Sequence, residues 1–304
     1  MATTAVTVER DRSVDVLRGL LVVLLVFVEW LVPPGYEWLR HSPWDGVRIA
    51  DFVFPGYLFV VGASMAVARR EPAWPRVVRR LLLLLALGLV FNAFTTTEPL
   101  RFTGVLQMIG IGGFLATVVT RFARRADDVL LVAGALLLAH GLVLSRAWDL
   151  DRWVLPDERL YRQGDAGHDP EGVLACVLGA TALVLLGFAA TRLRSWPFAL
   201  GLLGVSLVAF LAWEPNKRAW TPTFTLLMAG TFAVTLVALR PVARWMPLLD
   251  RVGRNALLVY LVQHAVREVV EPAPAEPLWF AIGAAAVFCG AAALLDRLGV
   301  RLRV

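Results

Sequence analysis

Lysine is almost missing from this chain: of its 30 lysine and arginine residues, Lys217 alone is a lysine. That bias reads as genome composition rather than chemistry. Cysteine is nearly as scarce. Cys176 and Cys289 are the only two, and each lies in an apolar run, so neither a disulfide framework nor a thiolate metal site is expected. Both read as apolar filler. The 4 histidines include no pair at metal-ligand spacing, and no HExxH, Walker or GxSxG pattern occurs, which leaves no motif for zinc-protease, P-loop or serine-hydrolase chemistry. No internal repeat is visible, which argues against the many secondary-transporter folds built from one.

Charge is also in short supply. Of 304 residues, 18% are charged and 58% hydrophobic, whereas a soluble domain has about a quarter charged and about half apolar. Mean hydropathy is +0.67. The surplus apolar residues come in runs near the ~20 that cross a bilayer as helix. The expectation is an all-α, polytopic membrane helix bundle, one domain over residues 1–304 with a disordered tail at 1–12. Spans are expected near 16–32, 50–68, 78–95, 104–120, 129–145, 172–191, 197–212, 222–239, 254–270 and 278–296, about ten in all. The first follows Arg10, Arg12 and Arg18 as in a signal peptide, but no small-residue cleavage site comes after it, so it reads as an uncleaved helix.

Net charge is +6. In a soluble protein that balance points to nucleic acid; here the arginines sit beside membrane ends, and no nucleic-acid partner is expected. One set of loops holds the N-terminal arginines, Arg69 to Arg80, Arg121 to Arg125, Arg192 with Arg194, Arg240 to Arg254, and Arg297 to Arg303. The alternate loops carry acids, among them Glu37, Asp45, Asp149 to Glu158, Asp165, Asp169, Glu171, Glu214 and Glu271. Basic residues favour the first set by roughly two to one, which places both termini in the cytoplasm. An even number of spans agrees.

The stretch from Arg40 to Gly56 organises the rest. A polar loop with His41 runs into an apolar segment that opens with Asp51. An acid at the mouth of a membrane helix faces protein or water and is a functional candidate; the plain alternative is a helix cap beside a solvated histidine. Polar residues then fall into two layers. The outer holds Glu29, His41, Asp51, Arg101, Asp169, Glu171, Asn216 and Lys217. The inner holds Asp15, Arg18, Arg79, Arg80, Arg254 and Asn255. Inner arginines either snorkel to headgroups or grip phosphate bidentately. A histidine flanked by carboxylates suits a general base near neutral pH. On residues alone a channel, a transporter and an enzyme all stay open.

Several blocks resemble one family. Arg12-Ser13-Val14-Asp15-Val16-Leu17-Arg18-Gly19 is similar to the RSVDxxRG opening of the heparan-α-glucosaminide N-acetyltransferase family and its bacterial relatives. His41, Trp44, Gly46, Asp51, Val53, Phe54, Pro55 and Phe59 match its H-x-x-W-x-G-x-x-x-x-D-x-V-F-P-x-x-x-F segment, with Gly62 and Ser64 following. Arg101 to Gln107, Asp169-Pro170-Glu171-Gly172, Pro215-Asn216-Lys217 with Trp220, and Gly253, Asn255 and Tyr260 match later blocks in the same order.

The resemblance implies a transmembrane acyltransferase that takes an acetyl group from cytoplasmic acetyl-CoA and delivers it to an amine or hydroxyl of an extracytoplasmic sugar or glycan. The family's active histidine falls on His41, with Asp51 and Glu29 beside it as catalytic candidates. Trp44, Arg101, Gln107, Asp169, Glu171, Asn216 and Lys217 are then expected at the acceptor side, with Gln107 or Asn216 donating to the thioester oxyanion. Asp15, Arg18, Arg79, Arg80, Arg254 and Asn255 are expected around the CoA phosphates, with no metal. Location in a bacterial cytoplasmic membrane, lipid contacts and an acceptor partner follow; a homodimer is left open. Three departures stand out. Glu29 replaces a family asparagine, the family's histidine of the ninth span falls on Gln263 with His264 beside it, and the luminal domain and leading span of the lysosomal member are missing. The competing expectation is a transporter or flippase moving a saccharide or anion without acyl chemistry.

Overall fold

A computed structural model describes residues 11–31, 36–43, 45–68, 71–95, 104–123, 125–146, 175–270 and 277–302. Those residues form eleven α-helices and no strand: α1 (Arg12–Glu29), α2 (Val53–Val67), α3 (Trp74–Thr95), α4 (Val105–Phe122), α5 (Ala126–Arg146), α6 (Thr181–Leu193), α7 (Trp196–Ala209), α8 (Pro222–Leu239), α9 (Pro247–Arg254), α10 (Ala256–Arg267) and α11 (Pro277–Arg297). A π-helical turn, Ala175–Ala180, leads into α6.

The starts of the helices follow local chemistry. Asp11 caps α1 by accepting from the Ser13 N–H at 3.1 Å, so ordered structure begins inside the tail expected at 1–12, of which residues 1–10 lie outside the described residues. Ser195 and Thr221 cap α7 and α8, each with a proline in the first turn, where a missing N–H and a fixed φ suit the helix. Within the expected span at 254–270 the structure has one helix, α10, over Ala256–Arg267; Asn255, with φ −112°, separates it from α9, which ends at Arg254.

Among the described residues, six helical segments are long and apolar enough to cross a membrane: Ile49–Val67, Trp74–Phe94, Val105–Phe122, Ala126–Leu144, Pro222–Leu239 and Leu278–Arg297. Val177–Leu193, Trp196–Ala209 and Ala256–Arg267 are shorter apolar helices. α2 and α6 form the centre. Every residue from Thr181 to Thr191 is buried, and α2 is apolar all round, as a helix surrounded by others must be. The two touch backbone to backbone. A Cβ on Gly62 would lie 1.8 Å from the Val184 carbonyl oxygen, and one on Gly187 would lie 2.2 Å from that of Phe59. α1 crosses α9 in the same manner through Gly19 and Gly253. Outward faces of the peripheral helices are apolar and exposed, including Leu82 on α3, Leu131 on α5, Leu207 on α7 and Val287 on α11.

Candidate active site

Asp51 is the anchor of the site. It lies in the 3-10 turn Ile49–Phe52 that runs into α2 and is fully buried. Its Oδ2 accepts from the backbone N–H groups of Ser42 (3.0 Å) and Arg48 (2.9 Å). Its Oδ1 lies 2.8 Å from His41 Nδ1 and 3.7 Å from Lys217 Nζ. A buried charge persists only when paired and hydrogen-bonded, and these four partners meet that demand while folding the 41–48 loop onto the helix. The plain capping alternative is therefore part of the arrangement: the bond from Arg48 is a cap contact, made by the other oxygen of the carboxylate that holds the histidine.

That geometry assigns the tautomer of His41. A carboxylate only accepts, so Nδ1 carries the proton and donates to Asp51, which leaves the lone pair on Nε2. Lys217 Nζ sits 3.2 Å from Nδ1. An ammonium only donates, so its charge partner there is the Asp51 carboxylate. The imidazole is half exposed, with 51% of its side-chain surface accessible, while Asp51 has none. The result is a base held from behind and open in front.

Lys217 reaches this point because its loop is pinned on every side. The Asn216 side-chain amide donates to Asp45 Oδ1 (3.0 Å), its carbonyl oxygen accepts from the Ala219 N–H (2.8 Å), and the Gly46 N–H donates to the Pro215 carbonyl (2.8 Å). Buried His140 donates from Nε2 to the Ala219 carbonyl at 3.0 Å. Trp220, at φ 54°, is fully buried between Phe54 and Phe224. It lies so close to Gly179 that a Cβ there would sit 2.0 Å from its Cδ1.

Three cavities run in series past His41. The inner one, about 440 Å³, has Arg18, Ser64, Arg80 and Arg254 toward the helix ends and Val60, Leu84, Leu106 and Ile109 in its walls. Tyr57, Val105 and Tyr260 separate it from a middle cavity of about 160 Å³, whose lining they share. Glu29, His41, Lys217 and His264 also line that middle cavity. Glu29, His41, Val28 and Ala50 in turn belong to a third, outer cavity of about 470 Å³ with Glu37, Arg40, Arg48 and Arg267. Arg18 and Glu29 mark the two ends on one helix; eleven residues apart, they are separated by roughly 16 Å along the axis.

The expected residues divide accordingly. His41, Asp51, Glu29 and Lys217 gather at the junction of the middle and outer cavities. Glu29 pairs with Arg267 at 2.7 Å rather than with His41. Arg18 and Arg80 line the inner cavity; Asp15 backs Arg18 at 2.9 Å, and Ser64 accepts from the same guanidinium at 2.6 Å. Arg254 lines the inner cavity too, paired with Asp250 and Asp296.

Four expected residues lie away from these cavities. Arg79 and Arg80 are both exposed, but only Arg80 lines a cavity; Arg79 is turned about 100° from it on the helix. Asn255 is buried and donates to the carbonyls of Ala292 and Val300, fixing the C-terminal segment. Asn216 is the loop clamp just described. Gln107 is buried between α3 and α4, with its amide against Gly88 and Gly104. None of these three side chains lines the cavities, so neither Gln107 nor Asn216 is placed to donate to an oxyanion there. Trp44, Arg101, Asp169 and Glu171 lie outside the described residues.

Sequence reasoning passed over Arg267, His264 and Tyr57 as parts of the site. Arg267 had a signal: a cation within an apolar helix needs an acid on a neighbour, and Glu29 is that acid. His264 has its Nδ1 2.8 Å from the Tyr260 carbonyl one turn back, so it was readable as a bundle histidine and not as a cavity wall. Gln263 beside it accepts from Trp30 Nε1 at 2.9 Å, tying α10 to α1.

An all-helical membrane bundle in which a carboxylate-held imidazole stands between a cationic cavity and an open outer one defines the class of protein. The particular family follows from comparison: residues 10–165 match the family described as heparan-alpha-glucosaminide N-acetyltransferase, catalytic, and the chain belongs to it. The mouse heparan-alpha-glucosaminide N-acetyltransferase is 26% identical over 85% of this chain and 54% of its own length. The human protein of that name is 25% identical over 85% of this chain and 53% of its own. The chain thus spans about half the length of the curated relatives it matches.

Proposed function

We propose that this chain transfers an acyl group, acetyl in the first instance, from acetyl-CoA bound on the cytoplasmic side to an amine or hydroxyl of an extracytoplasmic sugar. The observation that carries the reading is the series of cavities: an arginine-rimmed inner one and an open outer one flank a small chamber lined by His41, each sharing part of its wall. An apolar-walled inner cavity with three guanidinium groups suits a pantetheine arm whose phosphates stay among Arg18, Arg80 and Arg254. The names of the mouse and human relatives favour an amino sugar as acceptor. In this reading about ten helices cross a bacterial cytoplasmic membrane, both termini are cytoplasmic, and the exposed apolar faces of α3, α5, α7 and α11 contact lipid.

His41 Nε2 takes the proton from the acceptor, or receives the acyl group itself and passes it on. Asp51 is a positioning residue: it fixes the tautomer and stabilises the imidazolium that forms. Glu29 and Arg267, paired at the mouth of the chamber, orient the acceptor.

The reading is tested with purified protein in liposomes, labelled acetyl-CoA on the arginine side and glucosamine on the other. Label on the amino sugar is the expected result. Sugar movement that needs no CoA, with no label on it, overturns acyl transfer in favour of transport. Within the same assay Asp51→Asn will lower turnover by ~10²-fold or more. The amide oxygen is needed by the Ser42 and Arg48 N–H groups, so the amide NH2 faces Nδ1 and donates to it, which leaves the proton on Nε2 and removes the base. Donor binding, measured by titration calorimetry, will persist; unchanged turnover would reject the tautomer role.

A further inference from the structure

The chamber beside His41 needs a donor for the oxygen of the thioester carbonyl, since negative charge collects there when the acceptor attacks. Both amides expected to supply it, Gln107 and Asn216, lie outside the chamber wall. The polar groups that do line it are largely engaged. Glu29 is bonded to Arg267. His264 Nδ1 faces the Tyr260 carbonyl. Lys217 is drawn to Asp51 and His41. Tyr57 differs from all of these. It stands in the wall common to the inner cavity and the chamber, its hydroxyl is buried, and among the described residues nothing hydrogen-bonds to it.

A buried hydroxyl without a partner is rare and calls for an explanation. The usual one, a donor kept in reserve for a ligand, fits its location. Tyr57 lies six residues after Asp51, on the helix that Asp51 leads into, so roughly 9 Å of rise separates the two backbones. The phenol is thus carried on a helix that Gly62 holds backbone to backbone against α6. A donor fixed in this way does not reorganise when charge develops, which is the condition for strong oxyanion stabilisation. The chamber is small, about 160 Å³, and Tyr57 and His41 both contribute to its lining.

We propose that the Tyr57 hydroxyl is the oxyanion donor of this site, a role that rests on the acyl-transfer reading above. The step balances as follows. The acceptor's lone pair forms a bond to the thioester carbon while its proton passes to His41 Nε2. The carbonyl π pair moves onto oxygen, where the Tyr57 O–H donates to it. The carbonyl re-forms, the C–S bond breaks, and the departing sulfur takes the proton from the His41 imidazolium. Tyr57 keeps its own proton throughout. If His41 carries the acyl group transiently, the same oxygen meets the same hydroxyl in both half-reactions.

The experiment compares wild type with Tyr57→Phe in the liposome assay, with acetyl-CoA and glucosamine, alongside calorimetric binding of acetyl-CoA. Tyr57→Phe keeps the ring that walls the chamber and removes only the hydroxyl. The expected result is a kcat lower by ~10²-fold, the usual effect of deleting one oxyanion donor, with the Kd and KM for acetyl-CoA close to wild type. An unchanged kcat overturns the assignment. So does a variant that loses acetyl-CoA binding together with turnover, because that marks the hydroxyl as structural. A wild-type protein that transfers no acyl group removes the reading beneath the proposal; an active wild type with an equally active variant removes the Tyr57 role alone.

Discussion

His41→Ala will cut acyl transfer by ~10³-fold or more, within the range a positioned base contributes and toward its upper end because the same ring serves acceptor and leaving group. The protein should stay folded. The histidine side chain contacts Asp51 and Lys217 at the edge of an open cavity, and the loop around it is held by other bonds: Ser42 N–H to Asp51, Arg48 N–H to Asp51, and Gly46 N–H to Pro215. Asp51 keeps Lys217 and both amides after the substitution, so no buried charge is orphaned. On the proposed reading the inner cavity binds acetyl-CoA, so its affinity should be near wild type. Added imidazole should restore part of the rate, since the half-exposed position leaves room for a free base to enter. Turnover that survives the substitution undiminished would remove the imidazole from the mechanism.

How far this site was legible from the chain depends on what each residue needs. An acid at the mouth of an apolar helix must find donors, and a histidine ten residues earlier in a short loop is within reach, so Asp51 and His41 stood out as candidates, but a cap beside a solvated histidine explained them as well until the family motif was matched. Lys217 could be read only through its motif, because 176 residues separate it from His41 and no local rule links them. The amides were harder. Asn and Gln serve as clamps or as ligand donors with the same chemistry, and only packing tells which. Asn216 and Asn255 spend their groups on loop and terminus. Arg79 and Arg80 show the same limit: adjacent cations, one turned to the cavity and one away. Tyr57 was invisible because one tyrosine in an otherwise apolar helix reads as filler until the cavities on both sides of it are seen. The helices themselves were the easiest part, since apolar runs and proline or serine caps are local. The break at Asn255 was not: helix lies on either side of it, the charged Pro247–Arg254 before and the apolar Ala256–Arg267 after.

Gly62→Ala will be the most destabilising single methyl in the bundle. The new Cβ would sit 1.8 Å from the Val184 carbonyl oxygen, with Val184 C and Phe188 N both at 2.8 Å. All three are backbone atoms of a fully buried helix, so no rotamer change relieves the contact and α2 must move away from α6. Overpacking of this kind costs about 3 kcal/mol, at the upper end of the usual range because the obstacle is rigid. The consequence extends to the site. α2 carries Asp51 at its entry and Tyr57, Val60, Val61 and Ser64 along the cavity walls, so a displaced α2 shifts the carboxylate that holds His41 and reshapes the chamber together. Thermal unfolding in detergent should show a midpoint several degrees lower, with turnover reduced in the folded fraction. Gly201→Ala is the control. It lies on α7 with nothing within 4 Å of the added carbon, and a mid-helix glycine exchanged for alanine gains up to about 1 kcal/mol from helix propensity. Equal midpoints for the two variants would mean that α2 and α6 are not packed backbone against backbone, and that the geometry of the chamber is set elsewhere.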